Sequence, residues 1–89
     1  MTEKTLFKTE QKMNSSEISK YLRMIADKME KNEPISLKSG DQLVELHPKG
    51  EKEFEVKVER ETSTSGDETS LELEIEWKDG AEDGELEIE

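Results

Sequence analysis

Leu71-Glu72-Leu73-Glu74-Ile75-Glu76-Trp77-Lys78 alternates apolar and charged side chains without a break. Successive side chains of an extended chain point to opposite faces, so this period of two reads as a strand half-covered by a core. Leu71, Leu73, Ile75 and Trp77 take one face, and three glutamates and a lysine take the other. Upstream, Glu53 to Glu59 repeats the pattern, with Phe54, Val56 and Val58 alternating with Glu53, Glu55, Lys57 and Glu59. Thr62 to Thr69, rich in Ser and Thr around Gly66-Asp67, is the loop that joins the two strands. Two shorter runs precede them, Ile35 with Leu37 and Val44 with Leu46, separated by the hairpin turn Ser39-Gly40-Asp41. His47-Pro48-Lys49-Gly50 turns the chain into the Glu53 strand, and Asp79-Gly80 to Gly84 turns it toward a last short strand carrying Leu86 and Ile88.

Before the strands the period is 3.6. Ile18, Leu22, Ile25 and Met29 fall at i, i+4, i+7 and i+11, the spacing of one helical face, flanked by Tyr21 and Ala26. Asn14 stands at the N-cap with Glu17 three positions on, and Met13 and Ile18 are placed for a hydrophobic staple. Lys28, Lys31, Asn32 and Pro34 supply the cationic last turn, the residue that tolerates left-handed backbone, and the breaker. These signals predict a helix from Ser15 to Lys31, with an opening strand around Thr5 to Gln11. The expected fold is α+β, a single helix on a mainly antiparallel meander sheet of about five strands, in the order β-α-β-β-β-β with a short extra C-terminal strand, all in one domain over residues 1–89.

The composition narrows the function. Thirteen basic and twenty-four acidic residues give a net charge of −11, which disfavours phosphate backbones and anionic lipid surfaces, so neither nucleic acid nor membrane is an expected partner. The acidity is concentrated toward the C-terminal end: residues 62–89 carry one basic and eleven acidic groups. With no cysteine there is no disulfide staple, thiolate metal site or thiol nucleophile. Leu, Ile, Val and Phe total only 18 of 89 residues, at the lower limit for a chain of this charge to fold, so stability must come from well-placed packing, within or between chains. No apolar run suits a signal peptide or a membrane span, and the expected location is the cytoplasm.

Leu6-Phe7-Lys8-Thr9-Glu10-Gln11, the helix from Ile18 to Met29, the Ser39-Gly40-Asp41 turn and the strand Leu71 to Trp77 together resemble the amphi-Trp domain proteins, small prokaryotic chains common in archaea and named for an amphipathic strand ending in tryptophan. The resemblance spans nearly the whole chain. It implies the extent of the domain and a prokaryotic source; it carries no activity, cofactor or site residue to any position here. Eleven lysines set this chain apart from the lysine-poor composition of relatives from extreme halophiles.

Candidate chemistry is sparse. His47 is the sole imidazole, in a turn beside Pro48, with no second group at a recognisable spacing. The stretch from Asp79 begins like a calcium loop, with Asp83 and Gly84 at the fifth and sixth positions, but Ala81 occupies the third, which needs an oxygen ligand. No catalytic residue, metal ligand or cofactor-binding residue is assigned. A turn near Ser65-Gly66 would pair Phe54 with Trp77, Val56 with Ile75 and Val58 with Leu73, opposing Glu55 to Glu76, Glu59 to Glu72 and Lys57 to Glu74. One helix about 10 Å across cannot cover five strands spaced at about 4.8 Å. Apolar surface is left over, and Phe54, Val56, Leu73, Ile75 and Trp77 are the candidate interface residues of a homodimer. The expected protein is noncatalytic and self-associating, with a further protein partner open; the alternative is a small-ligand or divalent-cation-binding protein using the Trp77 region or the glutamate face.

Overall fold

The computed structural model describes residues 2–79. Its elements are α1 (Ser15–Glu30), β1 (Ile35–Ser39), β2 (Gln42–Leu46), β3 (Glu53–Glu61) and β4 (Glu68–Glu76), so the chain is α+β with antiparallel pairing. The chain divides into two compact units, Met1–Pro48 and Lys49–Glu89.

In the first unit the helix signals are met atom by atom. The Asn14 side chain accepts the Glu17 N–H at 2.9 Å, filling one of the donors that the first turn leaves open. At the other end the Asn32 N–H donates to the Met29 carbonyl and the Glu33 N–H to the Lys28 carbonyl, with Asn32 at φ 55. This is a Schellman motif, and its left-handed residue is one of the few types besides glycine that accept that conformation readily. Lys28 reinforces the stop with an ion pair to Glu33 at 3.0 Å.

β1 and β2 form a tight hairpin in which Ser39 pairs with Gln42 across Gly40-Asp41. Gly40 has φ 57, a conformation that a two-residue hairpin loop demands and a side chain resists. Ile35 pairs with Leu46 and Leu37 with Val44, which places all four on one face. α1 lies against β1. Ile35 is the one buried residue among the described residues, at 8% exposure, while Leu37, Val44, Leu46, Ile25 and Met29 are half-buried. Ile18 and Leu22, in the first half of the helical stripe, remain exposed.

The opening strand expected at Thr5 to Gln11 is not a strand. Its backbone is held instead by one side chain: the Lys8 N–H donates to Gln42 Oε1 at 3.0 Å and Gln42 Nε2 donates to the Lys8 carbonyl at 2.8 Å. The primary amide of Gln42 presents the same donor and acceptor as a peptide group, so it pairs locally where a ladder would need a run of neighbours. The Ser39 and Thr9 hydroxyls meet beside it at 3.4 Å.

In the second unit β3 and β4 form a nine-residue antiparallel hairpin. The register differs by two from the one expected: Phe54 pairs with Ile75, Val56 with Leu73 and Val58 with Leu71. The loop decides this. The Gly66 N–H donates to the Ser63 carbonyl at 3.2 Å and the Ser63 hydroxyl to the Gly66 carbonyl at 2.7 Å, so the turn centres on Thr64-Ser65 rather than Ser65-Gly66. Moving the turn centre by one residue moves every partner by two, which leaves each side chain on its expected face. The meander is also corrected, since β1-β2 and β3-β4 are separate two-stranded sheets. The proposed last strand with Leu86 and Ile88 lies outside the described residues.

Candidate functional site

The alternation seen in the sequence gives the β3-β4 hairpin two chemically opposite faces. One carries Phe54, Val56, Val58 and Arg60 opposite Ile75, Leu73, Leu71 and Thr69. Phe54, Val58 and Leu71 are each 64% exposed, Val56 56% and Leu73 47%, and Ile75 is half-buried. The Arg60 guanidinium closes the row with a 3.4 Å bond from Nε to the Thr69 hydroxyl. Four of the five candidate interface residues, Phe54, Val56, Leu73 and Ile75, are therefore brought together as two adjacent cross-strand pairs. Trp77 follows one residue after β4 ends and is half-buried. Val58 and Leu71 belong to the same row and were legible from the same alternation.

The other face carries Glu53, Glu55, Lys57, Glu59 and Glu61 opposite Glu76, Glu74, Glu72, Ser70 and Glu68. Glu53 opposes Glu76, Glu55 opposes Glu74 and Glu61 opposes Glu68, three like-charge pairs in place of the two expected. Lys57 relieves the centre: its Nζ lies 3.0 Å from Glu59 and 3.9 Å from Glu72, not beside Glu74 as the earlier register required. The hydrogen bond and charge of Glu59, with the charge of Glu72, raise the Lys57 pKa above its ordinary value. Glu74 is also raised, first by a hydrogen bond shared with Glu76 and then by that neighbour's charge, because two adjacent carboxylates hold one proton more readily than either alone. Among the described residues no three His, Cys, Asp or Glu side chains converge into a metal site. The glutamates stand in rows along the two strands and do not gather around a single point.

His47 lies 3.6 Å from Glu45, both exposed, directly after β2, and among the described residues it has no second ion-pair partner. Of the calcium-like stretch only Asp79 is described. No helix among the described residues is long and apolar enough to cross a membrane.

A hairpin with one mainly apolar and one mainly acidic face, running toward tryptophan, is the feature by which the chain can be placed. The Amphi-Trp domain model matches it over residues 1–89. The chain belongs to the Amphi-Trp domain family. No curated protein matches it, and no solved structure does. In this Amphi-Trp chain the amphipathic strand is β4, and β3 supplies it with a partner of the same two-faced pattern.

Proposed function

We propose that this Amphi-Trp protein is a noncatalytic interaction module of the prokaryotic cytoplasm that acts by self-association, with the β3-β4 hairpin as its working surface. The observation that carries the reading is the distribution of burial: one side chain is buried among the described residues, while five large apolar side chains of the hairpin stand half to two-thirds exposed in one contiguous row. A lone two-stranded hairpin is marginal in water. An apolar patch of this kind is the usual mark of a protein-binding surface. The net charge of −11 directs the partner away from nucleic acid and anionic membrane. A second copy is the partner always present at the protein's own concentration, and closed two-fold association is the commonest outcome for such a patch.

Sedimentation equilibrium over a wide concentration range tests this directly. A mass of about 20.6 kDa, twice the 10.3 kDa of one chain, is expected. A monomer throughout the range rejects self-association and hands the surface to a different protein.

A further inference from the structure

We infer that the self-association rests on the apolar faces of two β3-β4 hairpins stacked one on the other, as a four-stranded sandwich, and not on pairing of strand edges. This rests on the self-association proposed above and specifies its geometry. Among the described residues neither outer edge of the β3-β4 pair is taken by a further strand, so the two geometries compete and the side chains must choose between them.

Area favours the faces. At roughly 85–140 Å² apiece, the exposed Phe54, Val56, Val58, Leu71 and Leu73 present on the order of 500 Å² per chain, and stacking two such rows removes about 1,000 Å² from water, the least that a specific interface needs. Pairing along edges leaves that surface wet.

Charge favours the faces as well. Each hairpin carries eight glutamates and one lysine on its acidic side. Stacked sheets sit about 10 Å apart with their outer faces turned away from each other, so the two glutamate faces are separated by roughly 20 Å, beyond the Debye length of about 8 Å at physiological salt. Edge pairing would set glutamate rows side by side at about 4.8 Å, well inside that length. The apolar face offers one charged group, Arg60, at the loop end of the row and already bonded to Thr69, so the middle of the stack is free of charge.

The test is the dimer dissociation constant of the full chain, measured by sedimentation at about 0.05 M and about 1 M salt, for the wild type and for a Val56→Thr/Leu73→Thr double variant. Threonine keeps the strand propensity while making the face polar, and circular dichroism reports whether the hairpin survives. Face stacking predicts that the double substitution weakens the dimer by about a hundredfold or more, since two apolar side chains per chain leave the interface. It also predicts that salt changes the wild-type constant by less than about tenfold. A dimer untouched by the double substitution, or one that tightens by orders of magnitude with salt, overturns face stacking and leaves self-association standing. A wild-type monomer at every concentration and both salts overturns both. If the double variant does not fold, the wild-type salt series decides between the geometries by itself.

Discussion

Replacing Ile35 with alanine removes most of the only buried side chain among the described residues, and the contrast with Leu43 on the neighbouring strand makes the result interpretable. Ile35 is 8% exposed and pairs with Leu46 on the helix-facing side of β1-β2, whereas Leu43 projects from the opposite side at 69% exposure. Isoleucine to alanine deletes three carbons. At about 0.8 kcal/mol per buried CH₂ the transfer loss is roughly 2.4 kcal/mol, near the lower end of the range for such core truncations. Half-buried neighbours such as Leu37 and Leu46 can close part of the gap, so the cavity contribution is small. A unit of this length holds only about 2–7 kcal/mol in total, at roughly 0.05–0.15 kcal/mol per residue. Ile35→Ala should therefore remove a third or more of the unit's stability, and Leu43→Ala under about 0.5 kcal/mol. Urea titration followed by far-ultraviolet circular dichroism reads the helix that depends on this contact, with all proteins compared at one concentration so that any association contributes equally. Equal effects of the two substitutions would refute the reasoning, because the side of β1-β2 that carries Leu43 would then be as deeply covered as the side that carries Ile35.

The helix ends offer two smaller effects: Asn14→Ala should destabilise the first unit by about 1 kcal/mol through loss of the bond to the Glu17 N–H, and Asn32→Ala by about 1 kcal/mol through the left-handed backbone at φ 55, both read as a shift of the urea midpoint. Gln42→Ala should speed exchange of the Lys8 amide hydrogen by about five- to tenfold, since an exposed hydrogen bond contributes roughly 1 kcal/mol; Gln42→Glu keeps the acceptor for that amide but not the donor to the Lys8 carbonyl, and should lie between. Glu74 and Lys57 both have raised pKa values in the folded hairpin, from ordinary values of 4.5 and 10.5. A raised folded value means that the folded state binds the proton more tightly, so each group's contribution is fully present below its ordinary value and is lost as pH rises through the folded one. The hairpin should gain stability as pH falls from neutral toward 4.5 and lose it above 10.5, and NMR titration of the Glu74 carboxyl in the wild type and in Glu76→Gln checks the cause, since removing Glu76 should bring Glu74 back down.

How legible the molecule was in its sequence varies by element, and the range of the deciding interaction explains the variation. The helix could be read closely, because caps, stripe and breaker all act within a few residues; it ends one residue before the expected Lys31, which serves as its C-cap. The faces of β3 and β4 could be read for the same reason. Their register could not, because it turned on which pair of residues in the Ser- and Thr-rich loop sits at the turn, and a hydroxyl-to-carbonyl bond from Ser63 settled that. The Gln42 bridge to Lys8 spans 34 residues and left no local mark. Among the interface candidates, Phe54, Val56, Leu73 and Ile75 were legible as one apolar row, and Val58 and Leu71 complete it.

From the sequence alone, then, came the α+β class, the helix, the alternating strands and the two opposed faces of the hairpin, all set by periodicity and by contacts between near neighbours, together with the family resemblance carried by its motifs. Only the tertiary structure decided that the four described strands form two separate pairs, that the N-terminal segment is held by a glutamine amide instead of a ladder, and that the apolar row is left in solvent. Those outcomes depend on which distant segments meet, and an alternating pattern declares that a face needs covering without naming what covers it.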